Sequence, residues 1–199
     1  NVNPYGPHPA VLAAARQAAL DRYPSPDAAE LRAGYAATRA LDPSQVLAAN
    51  GSSEVIYLTA RAFASGGRCL IAGPTFGEYA AAARAAGADV EQVDAVPTGG
   101  FPVPMTDLLT RIDSWRPSLV IVCNPNNPTA QLAPSEAIAL LNQRTLKSGG
   151  TLAVDEAYMD FAGLEADPAA IAPGRVIIRS MTKLHAIPGL RIGFLCGPE

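Results

Sequence analysis

From about residue 46 onward, short apolar runs alternate with stretches in which apolar residues recur at helical spacing. The short runs at 68–72, 89–93, 119–123, 152–154, 176–178 and 192–196 read as strands, and the stretches near 53–64, 76–86, 105–114 and 134–147 read as amphipathic helices. A strand that is apolar on both faces must be covered on both. The pattern therefore predicts an α/β fold of three layers, α/β/α, with a mostly parallel sheet between the helices. Before residue 46 the grammar differs. Residues 9–22 and 27–40 carry Ala, Leu, Arg and Gln at helical spacing, and Tyr23-Pro24-Ser25-Pro26 separates them, its prolines breaking the helix and extending the backbone. The simplest partition is an N-terminal arm with its first helix over 1–26 and one large domain over 27–199.

Composition narrows the class of ligand. A formal net charge of -3, a pI near 5.4 and 6% aromatics leave no basic footprint for nucleic acid, so a small molecule is the expected partner. No apolar run approaches the length of a membrane span. Cys69, Cys123 and Cys196 are far apart and each lies in an apolar run, which argues for reduced, buried thiols in a cytoplasmic protein and against a disulfide framework or a metal site. His8 and His185 have no ligand-spaced partners. The chain opens on Asn1 without Met and stops at Gly197-Pro198-Glu199 directly after a strand-like run, with no secretory pattern, as a fragment would.

The polar clusters fall where an open parallel sheet binds ligands, beyond the carboxyl ends of strands. Gly51-Ser52-Ser53-Glu54 precedes a helix whose Val55, Ile56, Thr59, Ala62 and Phe63 share one face. Ser52 and Ser53 would sit at its N-terminus, where free N–H groups and the helix dipole favour an anion. The same residues also suit an ordinary serine cap. Between Ser180 and Arg191 the chain places a hydroxyl, an amine at Lys183 and a guanidinium at a spacing that suits a phosphorylated aldehyde. Lys183 would be the reacting amine, kept deprotonated by a neighbouring cation such as Arg191 and by partial desolvation. Asp155 follows an apolar run, so its carboxylate would emerge at the sheet edge, where it can pair with a protonated pyridine nitrogen. Tyr158 and Asn127 can donate to a ring oxygen, and a cis peptide before Pro128 would turn Asn127 inward. Phe76 can stack on the ring or serve as a core residue of the following helix, and Asp155 with Tyr158 could instead cap a helix.

Together these clusters resemble the fold-type I pyridoxal 5'-phosphate enzymes of the aminotransferase class I/II family, with motifs in register from Asn1 to the last strand. The resemblance implies that Lys183 joins the cofactor aldehyde and Asp155 binds the pyridine nitrogen. It further implies that Tyr158 and Asn127 hold the phenolic oxygen, that Phe76 stacks on the ring, and that Ser52, Ser53, Ser180 and Arg191 hold the phosphate. Tyr23 matches the tyrosine that such enzymes send across a homodimer interface to the neighbour's phosphate.

Within the family, Asn1-Val2-Asn3-Pro4-Tyr5-Gly6-Pro7, Pro74-Thr75-Phe76-Gly77-Glu78-Tyr79 and Thr182-Lys183 with Ala186-Ile187-Pro188-Gly189-Leu190-Arg191 are most similar to the threonine-phosphate decarboxylase branch of cobalamin biosynthesis. The histidinol-phosphate aminotransferase branch is next. That branch usually has a Glu in the N-terminal Asn-Pro motif, a Tyr in place of Phe76 and Ala-Gly in place of Pro188-Gly189. The resemblance thus implies a phosphorylated amino acid substrate and a lyase (decarboxylase) or aminotransferase activity. Two departures stand out: Ala130 replaces the Gly usual after Asn-Pro-Thr, and the C-terminal small domain that supplies the substrate-carboxylate arginine is absent from the chain. A reading from another class is a non-catalytic ligand-sensing domain of this fold, which would require a helix-turn-helix segment before Asn1. A dinucleotide oxidoreductase is poorer, since no predicted strand is followed by Gly-x-Gly-x-x-Gly.

Overall fold

In the computed structural model, which describes residues 2–163 and 171–198, the apolar runs assemble into one seven-stranded sheet. Asn1 and Glu199, the ends noted in the sequence, lie outside the described residues. The strands are β1 (Val46–Asn50), β2 (Arg68–Gly73), β3 (Asp89–Asp94), β4 (Leu119–Cys123), β5 (Thr151–Asp155), β6 (Arg175–Ser180) and β7 (Ile192–Cys196), in the order β1-β7-β6-β5-β4-β2-β3. Strands β2 to β6 pair in parallel, whereas β7 is antiparallel to both β6 and β1. The carboxyl ends of β1, β2, β4, β5 and β6 therefore share an edge with the amino end of β7.

Side chains alternate between two apolar layers. On one face Cys69, Ile71, Leu119, Ile121 and Ala153 pack with α3 (Gly51–Ala64) and α4 (Glu78–Ala85). On the other, Leu70, Val120, Val122, Leu152 and Val154 pack with α5 (Met105–Trp115) and α6 (Ser135–Lys147). Each aliphatic side chain so buried contributes about 1.5–3 kcal/mol over the exposed state, and a slip of one residue would exchange the two faces. A third cluster forms where α2 (Ala29–Thr38) lays Tyr35 on Phe194, ring centroids 3.9 Å apart, beside Val46 and Ile177. Among the described residues no helix is long and apolar enough to cross a membrane. The three cysteines are free and buried.

The departures from the expected pattern have physical reasons. The first helix, α1 (Pro9–Arg16), stops well short of residue 22. None of its residues is buried, and a short helix without a packed face gains little beyond propensity. Strand β1 escaped the pattern because it is an edge strand of small residues whose Leu47 is left exposed. Helix α3 starts at Gly51 rather than 53 and turns Ala60 and Ala64 inward, leaving Ala62 exposed and Phe63 half-buried. Helix α4 starts at Glu78, so Phe76 precedes it and is not one of its core residues.

Candidate active site

At the shared edge, β1 runs straight into α3. Asn50 forms no side-chain cap, and Glu54 Oε2 accepts the N–H of Asn50 at 2.6 Å. The donors of the first turn, which holds Ser52 and Ser53, have no intrahelical acceptor. Arg191 lies against this turn. A Cβ on Gly51, whose φ is +82°, would fall 2.5 Å from Arg191 Nη2, and a Cβ on Gly193 would fall 2.4 Å from the Ser52 nitrogen. The two glycines let guanidinium, reversed strand and helix N-terminus converge. Arg191 Nη1 donates to Pro188 O at 3.0 Å, fixing the fork, and the buried Ser180 hydroxyl ends β6 in a 2.9 Å hydrogen bond with Thr182. Backbone donors, hydroxyls and a guanidinium so gathered can hold a phosphate.

At the end of β5, Asp155 is 3% exposed. Its Oδ2 accepts from the Tyr79 hydroxyl at 2.7 Å and its Oδ1 from the Ala157 N–H at 2.9 Å. Burial pushes this carboxyl above its ordinary range, while the Tyr79 and Ala157 bonds and the charges of Lys183 and Arg179 pull it back. A buried carboxylate so poised is relieved by a cationic nitrogen. Tyr79, whose own hydroxyl is pushed well up by burial and by Asp155, stays a donor. Its ring meets Phe76 edge-on at 5.7 Å, and Phe76 keeps a partly exposed face for stacking.

Asn127 and Tyr158 face one cavity of about 500 Å³, lined also by Pro125, Pro128, Leu132 and Phe161. The Asn127–Pro128 peptide is cis, as expected, and so are Asn124–Pro125 and Gly73–Pro74. Asn126 ties the loops together: its Oδ1 accepts from Thr75 at 2.7 Å, and its Nδ2 donates to Pro74 O at 2.9 Å and to Thr129 at 2.8 Å. Tyr158 is carried on a turn clamped by charge, since Arg179 pairs with Glu156 at 2.5 Å and Arg39 with Asp160 at 2.9 Å. Ala130, in the place of the usual Gly, adopts φ 58°, the left-handed conformation a glycine would favour.

Lys183 is half-buried on the loop between β6 and β7, where its charge reaches Asp155. The edge thus gathers Ser52, Ser53, Phe76, Asn127, Asp155, Tyr158, Ser180, Lys183 and Arg191. Tyr23 stands apart, 98% exposed on the arm. Sequence reasoning missed Tyr79, Asn126, Thr182 and the Arg179–Glu156 pair as site residues. No spacing in the sequence marks Tyr79, whose hydroxyl meets Asp155 only through the fold.

A three-layer α/β chain with a lysine between its last two strands, a buried aspartate on β5 and an arginine against the first turn of α3 has the fold of the pyridoxal-phosphate-dependent transferases. Residues 1–199 match the aminotransferase class I and II family, and the chain belongs to it. The cofactor is that family's pyridoxal 5'-phosphate, and the helix turn at Gly51 beside Arg191 and the buried Asp155 carboxylate fit its two ends. The chain is 33% identical to histidinol-phosphate aminotransferase of Desulfitobacterium hafniense over 184 residues, covering 90% of this chain and 50% of that protein. The solved histidinol-phosphate aminotransferase of Clostridium acetobutylicum superposes with a TM-score of 0.85 at 27% identity, covering 99% of this chain and 59% of that one. L-threonine-O-3-phosphate decarboxylase of Porphyromonas gingivalis superposes with a TM-score of 0.74 at 31% identity, covering 89% and 54%. The chain spans about half the length of the curated relatives it matches.

Proposed function

We propose that this chain is the cofactor-binding part of an enzyme that breaks a bond at the α-carbon of a phosphorylated amino acid, with L-threonine O-3-phosphate decarboxylation as the first reading. Residues 27–199 carry the site and residues 1–26 form an arm. Pyridoxal phosphate supplies an aldehyde for the substrate amine and a ring that draws electrons from the α-carbon. The protein residues do the rest. Ser52, Ser53, Ser180 and Arg191 bind the phosphate, Phe76 covers one ring face, and Asn127 and Tyr158 donate to the phenolic oxygen. Asp155 keeps the pyridine nitrogen protonated. Lys183 would hold the cofactor through its amine and, once freed of it, would be the base or acid that moves a proton at the substrate α-carbon.

The choice of reaction would rest on which bond at the substrate α-carbon the protein residues hold in position to break. Were the α-carboxylate so held, CO₂ would leave and the α-carbon would take back a proton; were the hydrogen so held, Lys183 would remove it and amino transfer would follow. Phe76 carries the decarboxylase reading: a phenylalanine, edge-on to Tyr79, stands where the aminotransferase branch usually has a tyrosine. The 31% identity to the decarboxylase structure supports it. The second reading is amino transfer from histidinol phosphate, favoured by the name of the curated relatives. A cytoplasmic homodimer, with Tyr23 reaching the neighbouring site, accompanies either reading, and its support is the exposure of Tyr23 on an arm that buries little.

The test is CO₂ release by the intact protein, loaded with pyridoxal phosphate and given L-threonine O-3-phosphate without a keto acid. Release over many turnovers supports the decarboxylase. No release, with conversion of the cofactor to its amine form by histidinol phosphate, replaces it with the aminotransferase.

A further inference from the structure

The N-terminal motif around Asn3 has no role in the site described above, yet it crosses the lysine loop. The Asn3 N–H donates to the carbonyl of Lys183 at 3.0 Å, and Asn3 Nδ2 donates to the carbonyl of Leu184 at 2.9 Å. The other groups of Asn3 fold the arm around this contact. Its Oδ1 accepts the Tyr5 N–H at 3.0 Å, and its carbonyl accepts the Gly6 N–H at 3.4 Å, where Gly6 takes φ 77°. A side chain that closes a turn with its oxygen and reaches a remote loop with its nitrogen is specified at both atoms. Asp keeps the first function and loses the second, and Ala loses both.

The lysine loop needs a hold of this kind. It leaves β6 and returns to β7 through the Met181 N–H to Ile192 O bond of 3.2 Å, the Ser180–Thr182 hydroxyl pair and a 3.4 Å bond from Ala186 N–H to Lys183 O. Pro188, Gly189 and Leu190 at its far end are exposed. An amine that must meet a carbon within a fraction of an ångström needs its backbone fixed, and the loop's own bonds are short-range.

We propose that Asn3 is a positioning residue for Lys183, pinning the carbonyls of Lys183 and Leu184 and so coupling the order of the N-terminal arm to the placement of the amine. The proposal rests on the reading of Lys183 as the amine that joins the cofactor. Coupling of this kind is reciprocal: what orders the arm steadies the lysine, and occupation of the lysine steadies the arm.

The experiment compares Asn3→Asp and Asn3→Ala in the intact protein. Backbone hydrogen exchange is read without cofactor, and the rate of appearance and pH midpoint of the lysine-linked absorption band are read on adding pyridoxal phosphate. Loss of one such hydrogen bond should speed exchange over residues 181–187 by about five- to tenfold, with β5 and β6 unchanged. The band should form more slowly by a similar factor and its pH midpoint should move. Asn3→Asp, which retains the turn, should behave like Asn3→Ala. Wild-type exchange and capture in both variants would overturn the proposal, as would faster exchange spread evenly through β5 and β6. A band that persists in Lys183→Ala would defeat the cofactor reading instead, and exchange without cofactor would still decide whether Asn3 holds the loop.

Discussion

Removing one oxygen atom, by Tyr79→Phe, tests how Asp155 is kept ready for a cationic partner. The Tyr79 hydroxyl donates to Asp155 Oδ2 at 2.7 Å, and both side chains are essentially buried. A hydrogen bond to a charged acceptor contributes about 1.5–3 kcal/mol, and phenylalanine supplies no substitute donor. The variant should lose about 2 kcal/mol at neutral pH. For a chain of this size that is about 4–8 °C in Tm, measured by calorimetry without added cofactor. The dependence on pH has a fixed sign. Burial raises the folded pKa of Asp155 above its ordinary 3.8, so the protonated carboxyl suits the fold and its contribution is lost as pH rises through the folded pKa. Tyr79→Phe raises that pKa further. The deficit of the variant should therefore be largest near neutrality and shrink on acidification, and an Asp155→Asn background should remove most of it. A deficit independent of pH, or one undiminished in the Asp155→Asn background, would refute the reasoning.

Lys183→Ala should abolish the imine absorption band while leaving the circular dichroism spectrum intact; a persisting band would move the imine to Lys147 or another amine. Gly51→Ala places a Cβ 2.5 Å from Arg191 Nη2 at φ +82°, so it should weaken pyridoxal phosphate binding at least about tenfold, beyond its backbone cost of about 1–2 kcal/mol. Gly149→Ala, at φ +88° with open space around it, is the control and should cost stability alone. Arg179→Met strands Glu156 in a buried site and should cost about 3–5 kcal/mol in chemical denaturation, most of which Glu156→Leu in the same chain should recover.

The three layers and the polar edge were legible because the inner strands have apolar centres and the reactive side chains sit at or just past strand ends. Buried runs such as Leu119–Cys123 announce a two-sided core, and whatever polar residue follows must emerge at the edge. Tyr79 was not legible as a site residue. It is nearly fully buried within α4, and only the folded chain brings its hydroxyl to a carboxylate on β5. The ion pairs beside Tyr158 were hidden for the same reason, since Arg39 and Arg179 come from segments remote from the turn that carries Glu156 and Asp160. The overlong first helix was a failure of another kind: the periodicity of 9–22 promised a packed face, and no core lies beneath it.

The reversal of β7 explains why one short stretch of chain supplies both lysine and arginine. Because β7 is antiparallel to β6, the loop that leaves at Ser180 returns to the same edge, and Ser180 pairs across the ladder with Gly193. That register is held from both faces. On one, Gly193 lies so close to the Ser52 nitrogen that any side chain would collide; on the other, Phe194 stacks on Tyr35 at 3.9 Å. A slip of one residue would drive Ile192 or Phe194 into the first turn of α3 and break the aromatic stack together. The contact that opens the anion cradle is therefore the same contact that fixes both ends of the lysine loop. What the ladder leaves loose is the middle of that loop, and there Asn3 reaches in from the arm to the carbonyls of Lys183 and Leu184.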